Sequence, residues 1–191
     1  METATTGAIA GNAGITAIAP LSALSVPAGL TSPEGVDFIK EFETFEAEVY
    51  TCPAGIPTIG YGRVVRNRAD YPARITEAHA LELLAADLEW AEEAVKKNIR
   101  VDLEQCEFDA LVSFTFNAGS GALQSSTARR RINRGDFEGG MEALQWWHKG
   151  GRPKKSLPGL VRRRLWEAGA FLFGIYDGSA SAAVIDLLEL E

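Results

Sequence analysis

The chain has 191 residues, 46% of them hydrophobic and 24% charged, and a formal net charge of -7. That arithmetic describes one globular domain with room for an appendage, long enough to bury a core without disulfide staples. Two cysteines and two histidines are too few for a disulfide framework or a four-cysteine zinc site, so neither metal nor cofactor is expected, and the acidic balance argues against a protein that coats nucleic acid.

The first feature along the chain is a run without charge between Glu2 and Glu34, built from Thr, Ala, Gly, Ile, Leu and Ser. Asn12, Pro20, Pro27 and several glycines interrupt it, and its apolar residues are mostly alanine, unlike the roughly 20 strongly apolar residues of a stable membrane span. It also lacks the basic flank of a secretory signal. Two readings stand: a weakly membrane-associated export segment, or a flexible linker or pro-region.

Ser32-Pro33-Glu34 then reads as a helix start, with a hydroxyl cap, proline in the first helical position and an acid in the first turn. Val36, Ile39, Phe42 and Phe45 follow at helical spacing and predict a helix to about Phe45. From Val49 to Val65, strand formers alternate with Pro53, Gly55, Pro57, Gly60 and Gly62, which predicts a small irregular hairpin sheet. Thr76 caps a long amphipathic helix to about Asn98, and a further helix runs from about Leu103 to Asn117, stopped by Gly119 and Gly121. Short helices are expected near 125–133 and 136–147, a loop over "GGRPKKSLPG" and a last helix from about Leu160 to Phe173. The sum is an α+β layout, mostly helical with one small early sheet. It divides into a charge-free segment 1–31, a domain 32–175 and an acidic amphipathic tail 176–191.

Charge is unevenly spread over this plan. Between Ala128 and Arg164 stand eleven Lys or Arg against three acids, leaving -15 on the rest of the chain. This segment reads either as a basic face that steers an anionic polymer or as a solvated surface paired with acids from elsewhere.

Glu43 lies where the first helix runs into the glycine-rich hairpin, a place where a carboxyl can line a cleft. On its own it is ambiguous: it can point to solvent, form a structural ion pair, or act as a general acid if burial raises its pKa. Arg162 and Arg163 could orient it or could pair with other acids. Glu43, eight intervening residues, Cys52, five more and Thr58, then Ile-Gly-Tyr-Gly, resemble the E-x8-(D/C)-x5-T signature of the phage-type lysozymes, glycoside hydrolase family 24. Tyr50 fits the same spacing. "FNAGSGALQSSTARRRINRGDF" is similar to the family's second block, with Asn117, Ser126 and Thr127 at matching positions, and "LPGLVRRRLWEAG" is similar to its closing block, with Arg163 and Glu167 matching.

The resemblance covers about Pro33 to Gly174 and implies a lysozyme-like fold. It also implies hydrolysis of the β-1,4 bond between N-acetylmuramic acid and N-acetylglucosamine in peptidoglycan, causing lysis. In that role Glu43 would protonate the leaving oxygen, and Cys52 and Thr58 would hold or activate the attacking water. Tyr50, Gly60, Tyr61, Asn117, Ser126 and Thr127 would meet substrate. Cysteine replaces the commoner aspartate at position 52, and a thiol with an ordinary pKa of about 8.5 is only a few per cent ionised at neutral pH, so water positioning, base and nucleophile all stand for it. Some exported relatives hold this residue in a disulfide, for which Cys106 is the sole candidate partner here; Cys106 also suits a helix face as a small apolar residue.

The expected partner is the glycan strand of peptidoglycan, met by a monomer with no nucleic acid. The expected location is the host periplasm and cell wall, after export or holin-assisted release, with transient inner-membrane association through residues 3–30. Two rivals are a lytic transglycosylase, which leaves 1,6-anhydro products, and a non-catalytic peptidoglycan-binding or virion protein.

Overall fold

The computed structural model describes residues 29–52, 55–151 and 153–190. The expectation of an export segment or linker over residues 1–31 falls almost wholly outside these. What is described of it is anchored: Thr31 donates to Glu92 through both its N–H (2.8 Å) and its hydroxyl (2.7 Å), and Gln105 donates to the carbonyl of Leu30. Among the described residues no helix is long and apolar enough to cross a membrane.

Helix α1 spans Pro33–Lys40, with the Ser32 hydroxyl accepting from the Gly35 N–H at 2.9 Å. It stops five residues short of Phe45. Phe42 N–H and Glu43 N–H bond back to the carbonyls of Ile39 and Lys40, a tight last turn that swings the chain into the sheet. The helical spacing of Phe42 and Phe45 outlasts the helix because each ring finds a tertiary partner instead, Phe42 on Phe38 and Trp166 and Phe45 on Tyr61.

Strands β1 (Glu46–Thr51), β2 (Pro57–Gly60) and β3 (Arg63–Val64) form an antiparallel sheet in that order. The register pairs Thr58 with Tyr50 on one side and with Val64 on the other, which puts Thr58 in the central strand. Helix α2 (Glu77–Asn98), capped by the Thr76 hydroxyl, buries Leu84, Leu88, Ala91 and Val95 and packs on both the sheet and helix α3 (Gln105–Ala118).

Helix α3 is the centre of the core. It buries every residue from Phe108 to Thr115, which an isolated amphipathic helix would not do, and has α1, α2 and the later helix α7 (Pro158–Phe173) packed around it. Gly119, at φ +92°, ends it; Gly121 does not act as a stop and lies inside a further short helix, α4 (Ser120–Ser125). Helices α5 (Thr127–Ile132) and α6 (Phe137–Gln145) follow. Part of the expected loop closes as a two-stranded ladder, β4 (Lys149–Gly150) on β5 (Lys155–Ser156). Helix α7 starts two residues early, at Pro158, whose fixed φ suits a first helical position, and runs to Phe173.

The C-terminal amphipathic stretch forms helix α8 (Ser181–Leu187), and it is docked. Val184 and Leu188 are buried in the core, while Tyr176 donates to the buried Asp109 and packs edge-on against Phe38.

Candidate active site

Glu43 sits on the turn between α1 and β1, its side chain about a quarter exposed (26%), and accepts from Arg163 Nη1 through Oε1 at 2.9 Å. Arg163 is buried on α7. Its Nε donates to Glu167 Oε1 at 3.2 Å, its Nη2 reaches the carbonyl and hydroxyl of Ser113, and its guanidinium lies 4.8 Å from the Phe42 ring centre. Glu167 Oε1 also accepts from Ser113 Oγ and from Arg164 Nη2, both at 2.8 Å. Arg164 Nη2 in turn donates to Asn117 Oδ1 at 3.0 Å.

Glu43, Arg163, Glu167 and Arg164 thus form a hydrogen-bonded chain from the cleft lip to the core. The buried members, Arg163, Arg164 and Glu167, are tolerated there because each has a partner of opposite charge. Burial pulls the Arg164 guanidinium below its usual range, against the opposing pull of Glu167. Its Nε and Nη1 have no hydrogen-bond partner among the described residues, and the Phe114 ring, 4.9 Å away, faces the cation instead. The geometry leaves Glu43 Oε2 as the oxygen that Arg163 does not hold. The two options for the arginines are therefore both realised in Arg163, which orients Glu43 and pairs with Glu167. Among the described residues Arg162 does neither, and it lies over the rings of Phe42 and Trp166.

The hairpin brings Tyr50, Cys52 and Thr58 together. Ile56 carbonyl accepts from both the Cys52 N–H (3.0 Å) and the Thr58 hydroxyl (2.9 Å), locking the turn beneath them. Thr58 is buried; with its proton on Ile56, its oxygen keeps lone pairs for a further donor. Cys52 is half-buried, and among the described residues neither it nor Cys106 is in a disulfide. Burial raises the Cys106 thiol above its ordinary pKa, as suits a small helix-face residue.

The other expected substrate residues are placed differently. Asn117 is exposed and joined to the Glu43 chain through Arg164. Gly60 is buried with φ +64°, and a Cβ there would come within 3.3 Å of Ala80, so the lack of a side chain lets β2 press on α2. Tyr61 is buried and donates to Glu77; burial, reinforced by that carboxylate, pushes its phenol up to about 12. Ser126 caps α5 through Arg129 N–H, and Thr127 accepts from Arg130, so both side chains are engaged at the α4–α5 junction.

The basic segment splits in the same way. Arg131, Arg163 and Arg164 are paired with acids, whereas Arg130, Arg134, Lys149, Lys154, Lys155 and Arg162 are exposed and have no ion pair among the described residues. Sequence reasoning missed Ser113 and the role of Arg164. The spacing of Arg163, Arg164 and Glu167, three and four residues apart on one helix face, was the available signal.

A family model described as phage lysozyme matches residues 40–167, a span holding Glu43, Cys52, Thr58, Asn117, Arg163 and Glu167. The endolysin of Salmonella phage P22 is 36% identical over 136 residues, covering 70% of this chain and 92% of that protein. The SAR-endolysin of bacteriophage PS119 is 33% identical over 147 residues, covering 76% and 83% respectively. Among solved structures, the endolysin from Escherichia coli O157:H7 phage FAHEc1 aligns with a TM-score of 0.68 at 43% identity, over 76% of this chain and 94% of that one.

Proposed function

The chain belongs to the phage lysozyme family, and from that membership we propose how it works as a muramidase of the endolysin kind, hydrolysing β-1,4 bonds of peptidoglycan. The observation that carries the mechanism is the Glu43–Arg163 pair at 2.9 Å. The guanidinium fixes one carboxyl oxygen and leaves Oε2 out of its grip, so that in the protonated acid this oxygen can pass its proton to the glycosidic oxygen as the bond breaks. Arg163 is a positioning residue, held in turn by Glu167 and Ser113. The lone pairs of Thr58 accept from the attacking water, and Cys52, across the same turn, completes its placement. Attack on the anomeric carbon forms the new C–O bond and a reducing end, and the proton that the water sheds passes to solvent, from which the Glu43 carboxylate regains the one it gave to the leaving oxygen.

Clearing of chloroform-treated Gram-negative cells tests the acid. Wild type clears them, and Glu43→Gln, which keeps the shape but has no proton to give, is slower by a factor of about 100 or more. Equal clearing would remove Glu43 from the role.

Action at the host cell wall follows from the activity. For access, the charge-free residues 3–30 serve as the export segment and transient inner-membrane tether, in keeping with the resemblance to a SAR-endolysin. Leu30 and Thr31, at the end of this stretch, are themselves held to the domain by Gln105 and Glu92.

A further inference from the structure

A cleft of about 570 Å³ opens beside the hairpin, lined among others by Arg63, Val64, Tyr71, Asp87, Trp90 and Phe116. Two of its lining residues adjoin residues of the candidate site in register or in sequence. Val64 is the register partner of Thr58, and Phe116 immediately precedes Asn117. Helix α2 otherwise turns its large apolar side chains toward the core, yet Trp90 is 45% exposed and forms part of this wall. The indole is not loose: it stacks on Phe116, ring centres 6.1 Å apart and planes within 29°. The stacking holds the indole in the cleft wall with part of its surface uncovered, and Val64, 49% exposed, lies on the same wall as this apolar step. At the edge of that step Arg63 donates to Asp87, and both side chains keep about a third of their surface for solvent.

A flat aromatic face flanked by a donor and an acceptor is the chemistry that recognises a pyranose. The sugar's C–H face lies on the ring, while its hydroxyl and acetamido groups turn to the polar rim. We propose that Trp90, backed by Phe116, is a sugar-stacking residue that binds the glycan strand beyond the bond being cut and sets the enzyme's preference for polymeric substrate. The inference rests on the muramidase reading. It adds ground-state binding, not chemistry, so its loss acts on KM and spares kcat.

The test uses the full chain as wild type, Trp90→Ala and Trp90→Phe on soluble murein, with Glu43→Gln in parallel. Trp90→Ala raises KM roughly five- to tenfold with kcat unchanged, the worth of one aromatic stacking contact, and Trp90→Phe recovers part of the loss. In a Glu43→Gln background, titration with a peptide-free hexamer of β-1,4-linked N-acetylglucosamine quenches tryptophan fluorescence, and Trp90→Phe weakens both the quench and the affinity. An unchanged KM in Trp90→Ala, an unchanged hexamer affinity in Trp90→Phe, or a loss seen only with peptide-bearing murein overturns the proposal. If Trp90→Ala fails to fold, the Trp90→Phe titration decides. Undiminished cleavage by Glu43→Gln sinks the assignment of the acid instead, and leaves the hexamer titration to judge Trp90 separately.

Discussion

Arg163 holds Glu43 with one nitrogen at 2.9 Å and Glu167 with another at 3.2 Å, so a cleft carboxyl is tied to a buried helix 120 residues away in sequence. This relationship makes the site's geometry a property of the whole helical core. It also predicts that the arginine cannot be replaced by a simple charge.

Arg163→Lys should fold and keep a small part of the activity, because a point ammonium cannot span Glu43, Glu167 and Ser113 at once. Arg163→Met should lose about 3–5 kcal/mol of stability, since it leaves Glu167 buried and short of a partner. Urea unfolding with murein clearing on the same preparations checks both. Equal activity of the lysine variant and wild type would mean that orientation by the fork is not needed.

Thr58→Val separates the hydroxyl from the fold. The variant is nearly isosteric, and Ile56 carbonyl still has the Cys52 N–H, so stability should fall by only about 1 kcal/mol. Turnover should fall about tenfold or more, with Thr58→Ser restoring most of it. A Thr58→Val enzyme with wild-type turnover would take the hydroxyl out of the water's coordination.

Gly60→Ala probes the seat of the hairpin. A methyl at φ +64°, 3.3 Å from Ala80 Cβ and 3.4 Å from Ile75 Cδ1, should cost about 1–3 kcal/mol by strain and crowding, and push β2 away from α2. Thermal unfolding measures the cost. Wild-type stability in the variant would show that β2 can shift freely.

Alkaline stability should depend on Tyr61. Its folded pKa of about 12 lies above the ordinary value of 10.0. The stabilisation is therefore complete below pH 10 and is lost as pH rises through 12. Unfolding free energy measured over that window should fall more steeply for wild type than for Tyr61→Phe. Parallel curves would contradict it.

Much of the fold was legible because its signals are local. The Ser32-Pro33 start, the Thr76 cap and the Gly119 stop each need only neighbouring backbone. The end of α1 was not legible, since Phe42 and Phe45 keep helical spacing while packing on Trp166 and Tyr61, contacts that no local pattern encodes. The same limit applies to the site. The spacing of Glu43, Cys52 and Thr58 marked the turn and hairpin that carry them, but the choice of Arg163 over Arg162 as Glu43's partner is made by α7 packing against α3. Trp90 reads in sequence as one more residue of a long helix, and only the cleft shows that its ring is left uncovered.

The most direct test of the central claim is mass spectrometry of murein digested in heavy-oxygen water. Hydrolysis through Glu43 and an attacking water predicts muropeptides with reducing N-acetylmuramic ends carrying the heavy oxygen, and almost none from Glu43→Gln. Unlabelled 1,6-anhydro products would contradict it and identify a lytic transglycosylase.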